Sequence, residues 1–233
     1  VQDMGLGSGA TYPVGTTTEQ YTVTDAAGNS ASCSFTIEIF DDEKPVIVCP
    51  SDITQGVDAG ICGAIVTYNT PVGTDNCAGA VTDPTLGLGS GSTFPVGTTT
   101  ESYTVVDTSN NAVSCSFTVT VVDDEVPTIS CPASITQTAD GDSCNAAVSI
   151  TVPTTGDNCA VSSVVNDYNG LADGSDIYPV GTTTITWTVT DIYSNSSSCS
   201  IDVTITDDEN PVVVCPADIT QSATFDDCET VVF

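Results

Sequence analysis

The stretch Gly91-Ser92-Thr93-Phe94-Pro95-Val96-Gly97-Thr98-Thr99-Thr100 runs on through Glu101-Ser102-Tyr103-Thr104-Val105, and after a polar loop comes Ser114-Cys115-Ser116-Phe117. Pro95 and Gly97 punctuate the chain as a turn does. Beyond them apolar residues recur at every second position. Tyr103 and Val105 fall on one face of a strand, Thr99–Val106, and Cys115, Phe117, Val119 and Val121 on one face of another, Val113–Val122. That period of two predicts two half-buried strands joined by a short loop.

The same phrase, aromatic-Pro-Val-Gly-Thr-Thr-Thr, occurs at Tyr12–Thr18, Phe94–Thr100 and Tyr178–Thr184. Working outward, Asp-Asp-Glu-x-Pro begins at residues 41, 123 and 207, steps of 82 and 84 residues. Behind it come Cys-Pro (Cys49, Cys131, Cys215), Ile-Thr-Gln (Ile53, Ile135, Ile219) and a further cysteine (Cys62, Cys144, Cys228). Asp-Asn-Cys follows at Asp75–Cys77 and Asp157–Cys159, and Ser-Cys-Ser closes each unit at Cys33, Cys115 and Cys199. A fixed period of this kind marks a tandem array. It divides the chain into 1–40, the back of one repeat; 41–122 and 123–206, two complete repeats; and 207–233, the front of another. The ends read as an excerpt of a continuous array. Complementation between successive chains is the alternative.

Within 41–122 the other strands are expected near Pro45–Thr54, Cys62–Asn69, Ala80–Leu86 and Ser90–Phe94, with turns at Gly56–Gly60 and Gly87–Gly91. Short, evenly punctuated strands in units of this length predict an all-β chain of tandem immunoglobulin-like sandwiches arranged end to end. Trp187 stands where the preceding repeat has Tyr103, between Ile185 and Val189, so the only tryptophan is expected in a core rather than on a sugar platform.

Composition narrows the chemistry. Thirty-one acidic residues face one base, Lys44, for a formal net charge of −30. Such a surface repels phosphate backbones and anionic lipid, which excludes nucleic acid and direct membrane insertion as modes of partnership. Neither histidine nor arginine occurs, so the commonest general base and the usual oxyanion clamp are missing and no enzyme is expected. Paired carboxylates could hydrolyse a glycoside, but acids are too evenly spread for one pair to stand out.

The phrase at Gly91–Thr100, with Tyr-Thr-Val, Asp, Asn and Ser-Cys-Ser-Phe after it, resembles the hyalin repeat (HYR) family along the whole chain. The resemblance implies immunoglobulin-like modules in extracellular, cell-surface or secreted proteins of adhesion and matrix. The version with Asp-Asn-Cys looks like bacterial surface proteins, where such units stand in long series.

Four regularly spaced cysteines per unit indicate an oxidising compartment. The first strand of an immunoglobulin-like sandwich starts beside the last, which pairs Cys49 with Cys115 and Cys131 with Cys199. Sequence proximity pairs Cys62 with Cys77 and Cys144 with Cys159. The strand assignment, however, separates the members of each local pair by about 20 Å. The rival is a staple between repeats, Cys62–Cys159. Partners for Cys33, Cys215 and Cys228 stay open.

The repeated acids carry the remaining signal. In an immunoglobulin-like topology the linker, the B–C loop and the F–G loop share one end of the sandwich. Those places hold Asp41, Asp42, Glu43, Asp75, Asn76, Asp107 and Asn110 in one repeat. The next has Asp123, Asp124, Glu125, Asp157, Asn158, Asp191 and Asn195. Oxygen ligands alone, on irregular loops, suit calcium better than magnesium. The alternative is a solvated acidic hinge. Asn195-Ser196-Ser197 is a glycosylation sequon in an exposed-loop position.

Two functions compete at this stage. One is a structural stalk or filament segment, whose partners are neighbouring repeats or chains of the same protein in a fibre. The other is an adhesin-type module binding a glycan or protein receptor, with Tyr168 and Tyr193 as its candidate aromatics.

Overall fold

The computed structural model describes residues 1–222; Cys228, whose pairing the sequence leaves open, lies outside them. It is all-β, and the described residues contain no helix. In chain order the strands are β1 Gln2–Met4, β2 Gly15–Thr24, β3 Ser30–Ile39, β4 Ile53–Gly56, β5 Gly63–Ile65, β6 Val81–Leu86, β7 Thr93–Pro95, β8 Gly97–Val106 and β9 Ala112–Val122. They continue as β10 Thr128–Ser130, β11 Ile135–Thr138, β12 Asn145–Val148, β13 Thr154–Gly156, β14 Val161–Asn166, β15 Asp176–Pro179, β16 Gly181–Asp191 and β17 Ser196–Thr206. The chain forms two compact bodies. The first is Val1–Pro127 with the loops Gly156–Ser162 and Thr190–Ser196; the second is Thr128–Thr155, Ser163–Val189 and the described residues from Ser197.

In the first body β4-β9-β8-β6 make a four-stranded sheet, and β5 with β7 make a smaller one. The hairpin read from the sequence is β8–β9, in register from Gly97↔Val121 to Val106↔Ala112. The first strand does join the last, in parallel, with Ile53 opposite Val119. Tyr103, Phe117, Val119 and Val121 turn inward against Ala64 and Phe94 of the smaller sheet and Val66 just past β5, as the period of two requires. β1-β2-β3 form a separate three-stranded sheet.

The second body repeats the plan, with sheets β11-β17-β16-β14 and β12-β15, and β11 runs parallel to β17. Its core gathers Ile185, Trp187, Ile201, Val203 and Ile205 with Ala146, Val148, Ile150 and Tyr178. Trp187 is fully buried, and its indole N–H donates to the Ala172 carbonyl at 3.0 Å. It is a core residue.

Three disulfides are present among the described residues. Cys49–Cys115 and Cys131–Cys199 tie the first strand region of each repeat to its last, with Cα separations of 5.7 and 5.9 Å. In place of the local pairs Cys62–Cys77 and Cys144–Cys159, Cys62 joins Cys159, 97 residues away. The reason is the length of the sandwich. Gly63 pairs with Pro95, just before β8 begins, whereas Cys77 lies beside Asp107, just after β8 ends. The ten residues of β8 span roughly 33 Å, far beyond disulfide reach. Cys33, Cys77, Cys144 and Cys215 are unbridged.

Candidate metal site

The F–G loop is built by one local device in all three Ser-Cys-Ser-containing repeats. This loop follows β2, β8 and β16, and an aspartate at the strand's end accepts from it, so Asp107 Oδ1 takes the amides of Ser109 and Asn111 at 2.9 and 2.8 Å. Asp191 Oδ1 likewise takes those of Tyr193 and Asn195, and Asp25 Oδ1 those of Ala27 and Asn29. The asparagine four residues on then donates Nδ2 to the other carboxylate oxygen (Asn29, Asn111, Asn195). The sequence reading names Asn110 beside Asp107 as an oxygen ligand for a cation. The hydrogen bond to Asp107 comes from Asn111, while Asn110 sits exposed at the turn with φ 70°. Aligning the three loops as Asp-x-x-x-Asn would have found the right residue.

Asn111 and Asn195 use the same amide group to reach the linker, donating to the Asp41 and Asp123 carbonyls at 3.1 Å. That bond folds the linker aspartate over the F–G loop. The Asp-Asn-Cys loop closes the third side, because Asp157 Oδ2 accepts from the amides of Cys159 and Ala160, and Asp75 Oδ2 from Cys77.

Two clusters result. Asp123, Asp157 and Asp191 bring carboxylate oxygens within 4.8 Å of one another, and Asp41, Asp75 and the Cys77 thiol do the same. Asp123 and Asp191 are buried, only 5% and 2% exposed. Burial by itself would raise the Asp107 and Asp191 carboxyls. The hydrogen bonds from Asn111 and Asn195, together with the loop amides, outweigh it and hold both below the usual range. The Cys77 thiol is pushed up by its hydrogen bond to Asp41, then by burial and by the surrounding carboxylates.

Five buried oxygens in these clusters have no hydrogen-bond partner: Asp41 Oδ2, Asp75 Oδ1, Asp123 Oδ2, Asp157 Oδ1 and Asn158 Oδ1. Buried carboxylate oxygens without a donor cost several kcal/mol in roughly this setting, unless a cation supplies the missing partner. The donor set is hard oxygen throughout the Asp123–Asp157–Asp191 cluster, which fits calcium. Other acids of the sequence motif lie outside the clusters. Asp42 is exposed, Glu43 accepts from Asn76 Nδ2 at 2.7 Å, Asp124 covers Gly56, and Glu125 accepts from the Gly60 amide at 2.8 Å.

A family model described as the HYR domain matches residues 3–39, 40–121 and 122–205. This chain belongs to the HYR domain family. It is 35% identical over 222 residues to hyalin of Strongylocentrotus purpuratus, covering 92% of this chain and 18% of that protein. Hyalin of Lytechinus variegatus matches at 35% over 86% of this chain and 39% of its own length. The chain thus spans well under half of the curated relatives it matches. Among solved structures, a protocadherin gamma B2 fragment with extracellular cadherin domains 1–5 aligns at TM-score 0.35 and 15% identity, over 82% of this chain and 45% of that one. Drosophila N-cadherin domains EC1–3 align at 0.33 and 11%, over 84% and 79%. An HYR array with three disulfides fits an extracellular repeat protein of the adhesion or structural class.

Proposed function

We propose that this chain is a structural segment of an extracellular stalk or filament, non-enzymatic, whose joints are stiffened by calcium held between the linker, the Asp-Asn-Cys loop and the F–G loop. The observation that carries the reading is the set of partnerless buried oxygens on Asp123, Asp157 and Asn158, beside the Cys62–Cys159 bridge. The bridge crosses from one HYR repeat to the next in sequence, and a cation at its side fixes the same loops electrostatically. Carboxylates this close together leave less than the roughly 5–10 Å that glycoside hydrolysis uses. Tyr168, a candidate aromatic for a receptor, stacks on Tyr178 at 4.5 Å and donates its hydroxyl to the Ile177 carbonyl. That is a packing role, and it favours the stalk over the adhesin.

Calorimetric titration tests the calcium. Binding with Kd around 10⁻⁴–10⁻³ M, typical of extracellular modules, is expected. Chelation should shorten the persistence length seen by electron microscopy without changing the β-type circular dichroism. An array equally stiff with and without chelator, or no heat of binding at millimolar calcium, overturns the reading.

A further inference from the structure

The Cys62–Cys159 staple has a receiving side and an entering side. On the receiving side, the Gly60 amide donates to Glu125 at 2.8 Å, which sets Gly60–Cys62 against the linker of the following repeat. The entering side is the Asp-Asn-Cys loop. Asn158 Nδ2 donates to the Ile61 carbonyl and to Asp123 Oδ1, both at 3.3 Å, and Cys159 closes the bond to Cys62. Linker and entering loop belong to one repeat, the one that begins at Asp123.

The same receiving side exists 82 residues further on, and none of the described residues fills it as Asn158 and Cys159 fill the first. Asp142, Ser143 and Cys144 are the counterparts of Gly60, Ile61 and Cys62, and Asp207 and Glu209 those of Asp123 and Glu125. The Asp142 amide donates to Glu209 at 3.0 Å, reproducing the Gly60–Glu125 bond. These five residues line an open pocket of about 650 Å³, and the Cys144 thiol in it is exposed and unbridged. The pocket occupies the place that Asn158 and Cys159 fill in the preceding copy.

We infer that the pocket at Cys144 is the receiving half of a second covalent staple, and that its occupant is the Asp-Asn-Cys loop of the repeat that begins at Asp207. The linker lining the pocket comes from that repeat, as it does at Cys62. The two thiols form one S–S bond, giving two electrons and two protons to a low-molecular-weight disulfide such as oxidised glutathione, which leaves as two thiols. A repeating cross-link of this register makes the array covalent along its length in addition to its backbone. The inference needs no calcium.

Two measurements test it. The 233-residue chain is incubated with oxidised glutathione and a peptide of the sequence 155–162, Thr-Gly-Asp-Asn-Cys-Ala-Val-Ser, and the modified cysteine is found by mass spectrometry. Capture at Cys144 is expected at least tenfold faster than at the exposed Cys33 and Cys215, and tenfold faster than for a peptide with Asp-Asn replaced by Ala-Ala. Equal rates at the three thiols, or for the two peptides, overturn the inference. Non-reducing peptide mapping of the native polypeptide should then find Cys144 linked to an Asp-Asn-Cys peptide within one chain. A free Cys144 there, or a link that joins two chains, also overturns it.

Discussion

Asn195 donates through Nδ2 to the main-chain carbonyl of Asp123, 72 residues earlier, at 3.1 Å, and Asn111 makes the same bond to Asp41. Both Nδ2 hydrogens of Asn195 are in use, since the second goes to Asp191 Oδ2 at 2.9 Å. Asn195 is also the sequon residue, and a glycan on Nδ2 would take one of those hydrogens. We therefore expect intact-mass measurement of the native protein to find Asn195 unmodified. An Asn195→Ala variant, lacking both bonds, should melt roughly 2–8 °C lower.

How much of this was legible in the sequence depends on the range of the interaction. The β8–β9 hairpin and its inward face followed from period two, and Cys49–Cys115 followed from sandwich topology. Asp123, Asp157 and Asp191 were legible as acids because each repeats at a loop. Asn111 was missed for want of a loop alignment. The partner of Cys62 was legible only as the rival pairing, because nearness in sequence competed with strand length, and strand length decides. The sequence repeats Glu101 at Glu19, but period two alone gives no reason for an acid there. Glu101 occupies an inward strand position, fully buried, and reads there as an exception to the alternation.

Glu101 is the centre of a polar plug. Its carboxylate accepts from the Leu88 and Gly89 amides and from the Tyr68 hydroxyl at 2.7–3.0 Å. Gly87 makes room with φ 109°, since a Cβ there would stand 2.1 Å from Glu101 Oε1. The next repeat has Ile185 at this position and fills the space with Trp187 against Gly174. Glu101→Gln turns an amide group toward donors and should cost about 1–3 kcal/mol in urea unfolding. Gly87→Ala should cost at least as much, because strain at positive φ adds to the clash. A neutral Gly87→Ala would show that the loop relaxes freely.

The two disulfides inside single repeats should dominate covalent stabilisation of their sandwiches. Cys131–Cys199 spans 68 residues, and the chain-entropy model assigns such a loop about 4 kcal/mol. The Cys131→Ser, Cys199→Ser double variant is expected to lower unfolding free energy by roughly that amount. Removing the crossing staple with Cys62→Ser and Cys159→Ser should leave the circular dichroism of both repeats unchanged while weakening calcium binding, because Asn158 and Asp157 lose their anchor. Unaltered calcium affinity in that variant would separate the staple from the acid cluster.

Alkaline pH should unfold the second body through Tyr178. Its phenol is fully buried and donates to the Gly174 carbonyl. Burial first, then the negative charges of Tyr168, Asp176 and Asp173, push its pKa from 10.0 up to about 12. The folded state thus holds the proton more tightly than the unfolded chain does. Its contribution to stability is complete below pH 10 and is lost as the pH rises from there to about 12. Tyr68 is raised in the same direction by burial and by its bonds to Tyr103 and Glu101, which extends the effect to the first body. The measurement is urea unfolding from pH 8 to 12, with the exposed thiols of Cys33, Cys144 and Cys215 alkylated beforehand so that disulfide exchange does not intrude. In Tyr178→Phe the proton is gone, and the decline assigned to the second body should flatten even though the variant starts less stable for want of the hydroxyl bond. A decline of the same steepness in the variant would move the cause elsewhere, because no other tyrosine shares that buried position in the second core.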